Sequence, residues 1–444
     1  MSEETSFALS EWETLSPETN SELAGLFLEE TPECRRVTEA LNKSGKIQLT
    51  ELKSGLRISA SSHVGRIRVG NLTITILPKL KVGSLLRLLR YAFGFRRLDL
   101  ISNSNQLVDQ GGFEDLLISQ LNAEAQELIL RGLQKTYVRK SERLASPRGR
   151  VSIDRLALDG GTVTASLPCQ HFPRLEDSLI NQTLLAGLRH AGTTAGMLEL
   201  RRTSKRLAAM MEEQVSRIRL DAGTTDRAIR TVNRLSSAYE PALSIIQLLA
   251  SGRGVVLEGH STSTAIPGFL FDMNMFFQIL ISRFLRENLP DCVIRDEHGL
   301  KGMMRYNPHF NPRRKTSPTP RPDYAVVRPN GRLSILDAKY RDLWESSLPR
   351  EMLYQLVVYA FSYSKNPASS ILYPAIDSLP KEARIDVNDP ILGNKLGQVC
   401  LRPVDLMRIE ELVTQSSEPV RRERRTLAEY LAFGERHTDK RFPQ

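Results

Sequence analysis

RPDYAVVRPNGRLSILDAKY, residues 321–340, reads as two apolar strands joined by a tight loop. Strands are expected over 323–327 and 333–340, and Pro329-Asn330-Gly331 between them suits a three-residue hairpin connection. Such a loop is a type I turn followed by one left-handed residue, the natural place for Gly331. In that register Arg328 pairs with Arg332, and Asp323 lies directly opposite Asp337. A two-residue loop would set Asp323 opposite Ala338 and send the two acids to opposite faces. Side chains alternate along a strand, so Asp337 and Lys339 share a face with Leu333 and Ile335. Turn chemistry and side-chain chemistry therefore agree on one pairing.

Two carboxylates on adjacent strands with a lysine beside them suit metal-assisted hydrolysis of a phosphodiester. A hard cation polarises the phosphate and lowers the pKa of its bound water. Magnesium takes oxygen ligands and keeps several waters, so two acids suffice as its protein charge. The lysine can orient the attacking water or stabilise the crowded phosphate. A helix over 350–363 follows, opened by Pro349, and places Gln355 and Tyr359 on one side at i, i+4 spacing. Gln355 is a candidate to hydrogen-bond DNA or a metal-bound water, and Tyr359 to contact a phosphate or brace the lysine. Asp-x-Lys alone usually marks a solvated strand end, and a Gln/Tyr pair can simply finish an amphipathic core. The order is more specific: amphipathic helix, Pro-Asp strand, hairpin, Asp-x-Lys strand, Gln-x-x-x-Tyr helix.

Upstream, 272–287 reads as an amphipathic helix that buries Met273, Phe276, Phe277, Leu280, Ile281, Phe284 and Leu285, and Pro290 stops it. The stretch 307–322 is proline-rich and basic and reads as a mobile loop, whose Arg313, Arg314, Lys315 and Arg321 are candidate phosphate contacts. Further strands are expected over 370–373 and 399–402, and a short helix over 427–433. The first two-thirds mix short elements. Helical pieces are expected over 23–30 and 35–41, and period-two patterning from 47 to 80, with Gly70-Asn71 as a hairpin turn. Helices follow over 85–93 and 114–133. The basic segment 137–155 resembles one side of a projecting strand pair, returning at 162–167 after a Gly160-Gly161 turn; its bland reading is a solvated hairpin. One long helix is expected over 176–220 and another over 226–249, closed by 251–254.

The chain of 444 residues is long enough for two or three domains, and 41% hydrophobic with 25% charged residues is ordinary for a chain that buries real cores. Sixty-one basic against 51 acidic residues leave +10, which suits a polyanion or serves solubility alone. The four cysteines are too scattered for a CxxC clamp, so no zinc and no iron–sulfur cluster is expected. No apolar run reaches the length of a membrane helix and the first residues lack a signal region, so the expected location is cytoplasmic, with no membrane partner. No GxxxxGK[ST] sequence is present, so NTP-driven work would fall to a partner.

In this order the motifs resemble the PD-(D/E)xK nuclease superfamily in its Gln-x-x-x-Tyr branch, and more closely the McrC family, the nuclease subunit of McrBC-type modification-dependent restriction systems. The wider similarity runs through Ile76-Leu77-Pro78-Lys79, residues 88–94, Gly149-Arg150-Val151, Cys169 to Asn181, and Phe271-Asp272-Met273-Asn274. The resemblance implies an α+β multidomain chain: an N-terminal mixed β/α docking domain (1–170), a helical connector (171–255) and a C-terminal α/β restriction-endonuclease-like domain (256–444). It implies a Mg2+-dependent endonuclease of a restriction or anti-phage complex, with Mn2+ as the substitute cation, DNA as substrate and a ring of McrB-like AAA+ GTPase subunits as partner. Asp323, Asp337 and the Ala338 carbonyl would hold the metal, and Arg148, Arg150 and Arg155 would engage the ring. In such proteins the helix after Phe271-Asp272-Met273-Asn274 carries a glutamate near Gln278, whose amide oxygen coordinates without adding charge. That departure motivates a second reading, a regulatory or scaffolding subunit with a weak or inactive nuclease fold.

Overall fold

The computed structural model describes residues 5–94, 113–158, 165–251, 268–341, 343, 347–362, 367–376 and 381–434. Contacts group the chain into two compact units: Met1–Ile101 with Leu257–Thr264 and Leu270–Gln444, and Ser102–Val256 with Ala265–Phe269. This differs from a division at 170 and 255. Residues 5–94 fall in one unit with the C-terminal sheet, and the basic segment falls with the helices that follow it. Local periodicity shows that a face is apolar, not which distant face covers it.

The N-terminal part of the first unit holds β1 (Thr5–Ser10), β2 (Thr14–Leu15), α1 (Pro32–Ser44), β3 (Ile47–Leu52), β4 (Gly55–Ala60), β5 (His63–Val69), β6 (Leu72–Leu77) and α2 (Val82–Phe93). The expected hairpin is present: Val69 pairs with Leu72, and Gly70 turns at φ +59°. Residues 23–30 form no α-helix; a 3-10 turn at Ser21–Leu23 ends where that helix was expected to start. That helix starts at the Thr31 cap, whose side chain accepts from the Cys34 amide, with a proline in the first turn.

The second unit holds α3 (Phe113–Arg131), β7 (Thr136–Tyr137), β8 (Lys140–Leu144), β9 (Arg150–Val151), α4 (Ile153–Leu158), β10 (Leu167–His171), β11 (Arg174–Leu175), α5 (Leu179–Thr194), α6 (Leu198–Glu212), α7 (Ala222–Thr231) and α8 (Glu240–Ser251). The basic segment is not a simple strand pair. β8 and β9 both flank β10, and a helical turn follows β9. The expected turn at Gly160-Gly161, the first half of the returning strand 162–167 and residues 252–254 lie outside the described residues. The single helix expected over 176–220 is two helices. Asp115, fully buried on α3, accepts from the Gly196 amide at 2.7 Å and the Met197 amide at 2.8 Å. Those two bonds replace helical ones and turn the chain. Residues 226–249 divide likewise, and Asp221 caps α7 through the Thr224 amide.

The C-terminal part of the first unit adds β12 (Gly268–Asp272), α9 (Met273–Asn288), β13 (Val293–Asp296), β14 (Tyr324–Val327), β15 (Leu333–Ala338), α10 (Arg350–Ala360), β16 (Ala368–Ala375), β17 (Ala383–Asn388), β18 (Lys395–Asp405), α11 (Leu406–Thr414) and α12 (Glu418–Phe433). A six-stranded sheet runs β13-β14-β15-β16-β18-β17, antiparallel from β13 to β15 and parallel through β15, β16 and β18. α10 lies on one face, where Leu356 and Tyr359 meet Ala325, Ile335, Ile371, Tyr373, Val399 and Leu401. α9 buries the seven apolar side chains its spacing picks out. The edge strands β13 and β17 are short and largely exposed, and their sequences carry little apolar alternation. β12 closes a second sheet of order β1-β6-β5-β12, in which β1 runs parallel to β6.

Candidate active site at the end of the central hairpin

The β14–β15 loop has the geometry its residues call for. The Arg328 amide donates to the Arg332 carbonyl at 2.9 Å, the Gly331 amide donates to the Arg328 carbonyl at 2.8 Å, and Gly331 has φ +78°. Pairing runs from Val327 with Leu333 to Tyr324 with Leu336, so the next step sets Asp323 against Asp337. Both acids and Lys339 fall on the face covered by α10.

At that point the chemistry converges. Lys339 Nζ lies 2.9 Å from an Asp337 carboxylate oxygen and 3.4 Å from one of Asp323. The same Asp323 oxygen accepts from the Ala338 amide at 2.7 Å. Asp337 is only 3% exposed, and burial, then the adjacent Asp323, pushes its pKa up to about 6. Burial opposes a charge on Lys339, but Asp337 and Asp323 outweigh it and hold its pKa above the ordinary range. Two acids forced together in a desolvated pocket with one cation are short of positive charge. A divalent cation would relieve that shortage, so the donor set fits one.

Among the described residues no three His, Cys, Asp or Glu side chains converge on one point. Remaining ligands would be neutral oxygens: the Ala338 carbonyl, an amide and water. Gln278, on α9, is beside that carbonyl, its amide nitrogen 3.5 Å away at the outer limit of a hydrogen bond. Its own main-chain carbonyl accepts from the Tyr324 hydroxyl at 2.6 Å. Gln278 also lines a cleft of about 790 Å³ with Asp323, Tyr324, Ser282, Asp296 and Glu297. Glu297 has a left-handed backbone at φ +46°, and its amide donates to the Asp323 carbonyl at 2.9 Å. Glu287, by contrast, is engaged by Arg283 and by the Tyr91 hydroxyl.

The Gln355/Tyr359 pair is joined as its spacing requires, with the amide of Gln355 donating to the Tyr359 hydroxyl at 2.6 Å. The buried Tyr359 hydroxyl then donates to the Arg321 carbonyl at 2.9 Å. It braces the backbone entering Asp323 and makes no hydrogen bond to Lys339 in the structure. Arg313, Arg314, Lys315 and Arg321 are all exposed. Their loop is organised: Asn311 accepts from the Lys315 amide and donates to its carbonyl, and Arg314 has φ +47°. In the other unit, Arg148, Arg150 and Arg155 are exposed. Gly149 between the first two has φ +72°, and a Cβ there would lie 2.4 Å from the Gln170 carbonyl oxygen, so only glycine fits.

Sequence reasoning assigned no role to Glu11, Asn274 or Tyr340. The Asn274 carboxamide oxygen accepts from the Tyr340 amide at 2.9 Å, directly after Lys339. Phe271-Asp272-Met273-Asn274 was a visible signal for the second of these; nothing local marks Glu11.

Residues 58–374 match the family model described as McrBC 5-methylcytosine restriction system component. The match spans more than half of the chain, and the chain belongs to this family. Among solved structures it is similar to a refined half-complex from the tetradecameric assembly of Thermococcus gammatolerans McrB AAA+ hexamers with bound McrC. That likeness has 20% identity and a TM-score of 0.56, covers 95% of this chain and 98% of that chain, and is one of fold. A cryo-EM structure of the Thermococcus gammatolerans McrBC complex is similar at 18% identity and a TM-score of 0.44, over 64% of this chain and 88% of that chain. No curated protein matches the chain. Among the described residues no helix is long and apolar enough to cross a membrane.

Proposed function

We propose that this chain is the DNA-cleaving subunit of an McrBC-type restriction system, a Mg2+-dependent phosphodiester hydrolase of the PD-(D/E)xK type. The observation that carries the reading is Lys339 Nζ set within 2.9 and 3.4 Å of two carboxylates that the hairpin register makes face each other. Asp323 and Asp337 would hold the cation with the Ala338 carbonyl, and Gln278 supplies a neutral oxygen beside it. The bound ion supplies a polarised phosphate and a more acidic water. Lys339, held protonated by the two acids, stabilises negative charge growing on the phosphate. Tyr359 and Gln355 fix the backbone of Arg321 and so the direction of Asp323. The exposed Arg313, Arg314, Lys315 and Arg321 meet the DNA backbone on the strand leading to the site.

The solved relative is described as bound to McrB AAA+ hexamers. By that likeness the present chain works with an AAA+ GTPase ring, engages it through the element bearing Arg148, Arg150 and Arg155, and stimulates its hydrolysis. Gln278 supports a second reading, in which the chain activates the ring but cuts poorly. Plasmid cleavage in magnesium separates the two, comparing wild type, Asp337→Ala and Lys339→Ala with and without the GTPase. Cleavage by wild type alone establishes the nuclease. Three inactive proteins that stimulate GTP hydrolysis equally would replace it with the regulatory reading.

A further inference from the structure

Glu11 lies directly after β1 and is fully buried. One carboxyl oxygen accepts from the Lys79 amide at 2.7 Å and from the Tyr340 hydroxyl at 3.1 Å. Its other oxygen is buried without a hydrogen-bond partner. A carboxyl in this state is unfavourable to the fold by itself, since burial takes away water that nothing replaces. Its use therefore lies in what the first oxygen holds. The backbone beside it is also costly: Trp12 has φ +64°, and its amide donates to the Ser61 carbonyl at 3.1 Å.

Tyr340 is the residue after Lys339, and the two side chains leave the strand on opposite sides. The hydrogen-bond and ring partners of Tyr340 lie on α9 and just after β1. Its amide is held by Asn274, whose own amide donates to the Ser62 hydroxyl at 2.6 Å, while the Met273 amide donates to the Ser62 carbonyl at 3.0 Å. Its ring meets Phe277 edge-on with centroids 6.0 Å apart. The next residue, Arg341, stacks over Trp12 at 5.5 Å from the ring centroid. The hydroxyl at the far end of this side chain has Glu11 as its partner.

We propose that Glu11 is a positioning residue for the acid–acid–lysine centre: by holding the Tyr340 hydroxyl it fixes the strand end that aims Lys339 between Asp323 and Asp337. This deepens the nuclease reading and rests on it. It assigns the N-terminal sheets a part in cleavage in addition to any docking role, because their contacts set the geometry of the reacting lysine. Small displacements of such a group are expensive in rate: a 1 Å error can cost about 10²-fold.

The test uses the full chain with its AAA+ partner and three variants. Tyr340→Phe removes only the hydroxyl, Glu11→Leu removes the acceptor, and Glu11→Gln keeps an acceptor oxygen in place. The first two are expected to lower kcat for plasmid cleavage roughly 10-fold or more. KM for DNA and stimulation of the partner should stay as in wild type, and Glu11→Gln should stay close to wild type in all three. Unchanged kcat in Tyr340→Phe overturns the proposal. So does a parallel fall of kcat, DNA affinity and stimulation, which would mean general loosening. If wild type cuts nothing, the nuclease reading fails separately. The 13C signal of reductively dimethylated Lys339, assigned by its loss in Lys339→Arg, then decides. It is expected to move in Tyr340→Phe, and an unmoved signal overturns the positioning role.

Discussion

Asp323 and Asp337 face each other one step beyond the last pair of the β14–β15 ladder, and Lys339 Nζ reaches a carboxylate oxygen of each. Lys339 is the cation placed on both. Like charges in a desolvated site trade stability for chemistry, and this trade has a sign that can be measured.

Asp337→Asn should cut stability and activity apart. The substitution removes a buried charge that burial and Asp323 both disfavour, and Lys339 keeps Asp323 as its partner. In metal-free buffer near pH 8 the variant is expected to gain about 1–3 kcal/mol of folding stability. Its cleavage rate should fall by at least about 10²-fold. Denaturant unfolding and plasmid cleavage on the same preparation check both; a less stable variant would show that the Lys339 pairing outweighs the burial cost.

Tyr359→Phe should act through Arg321. Loss of the hydroxyl leaves the Arg321 carbonyl and the Gln355 amide without their bonds. A cost of about 1 kcal/mol in stability is expected. Cleavage should drop roughly 10-fold as Asp323 loses its brace. Gln355→Ala, which leaves the Arg321 bond intact, should do less. Equal effects from the two substitutions would point to direct contact of Gln355 with DNA.

Glu11 makes stability depend on pH. Burial holds its pKa at about 7 in the folded state against an ordinary 4.5. Between those values the folded protein keeps a proton that the unfolded chain has released. Its contribution is therefore fully present below about 4.5 and is lost as pH rises to about 7, by about 3 kcal/mol in all. Glu11→Gln should flatten that decline. Denaturant midpoints at several pH values across the window provide the check, and an unchanged slope in the variant would remove Glu11 as its source.

Asp115→Ala should destabilise the second unit. The substitution strands the amides of Gly196 and Met197 where α5 gives way to α6. About 2–4 kcal/mol is expected for two buried donors without partners. Hydrogen exchange at Gly196 and Met197 would rise with the loss. Protection equal to wild type would mean that water takes over the role of Asp115.

The central hairpin was legible because everything that specifies it is local. Pro329-Asn330-Gly331 admits one loop, the loop sets the register, and the period of two then assigns each side chain a face. The buried face of α9 was legible for the same reason, since helical spacing marks it without reference to a partner. The edge strands β13 and β17 are not legible in the sequence because strands exposed on most positions carry little apolar alternation.

What tertiary structure alone decided are the relations between distant residues. The chain from 176 to 220 has uninterrupted helical patterning, yet it breaks at Gly196 because Asp115, 81 residues earlier, offers its amide a better acceptor. Glu11 reads as an ordinary surface acid in an acidic N-terminus, yet it is buried against Tyr340, 329 residues away. Helical spacing sets Tyr359 beside Gln355, but the partner of its hydroxyl, the Arg321 carbonyl, is a backbone atom that no side-chain pattern reports. By itself the sequence determined which residues could do chemistry and which faces were apolar, because those depend on neighbours within a few positions. Which faces meet, and therefore which groups lose their water and hold one another in place, depends on packing across hundreds of residues.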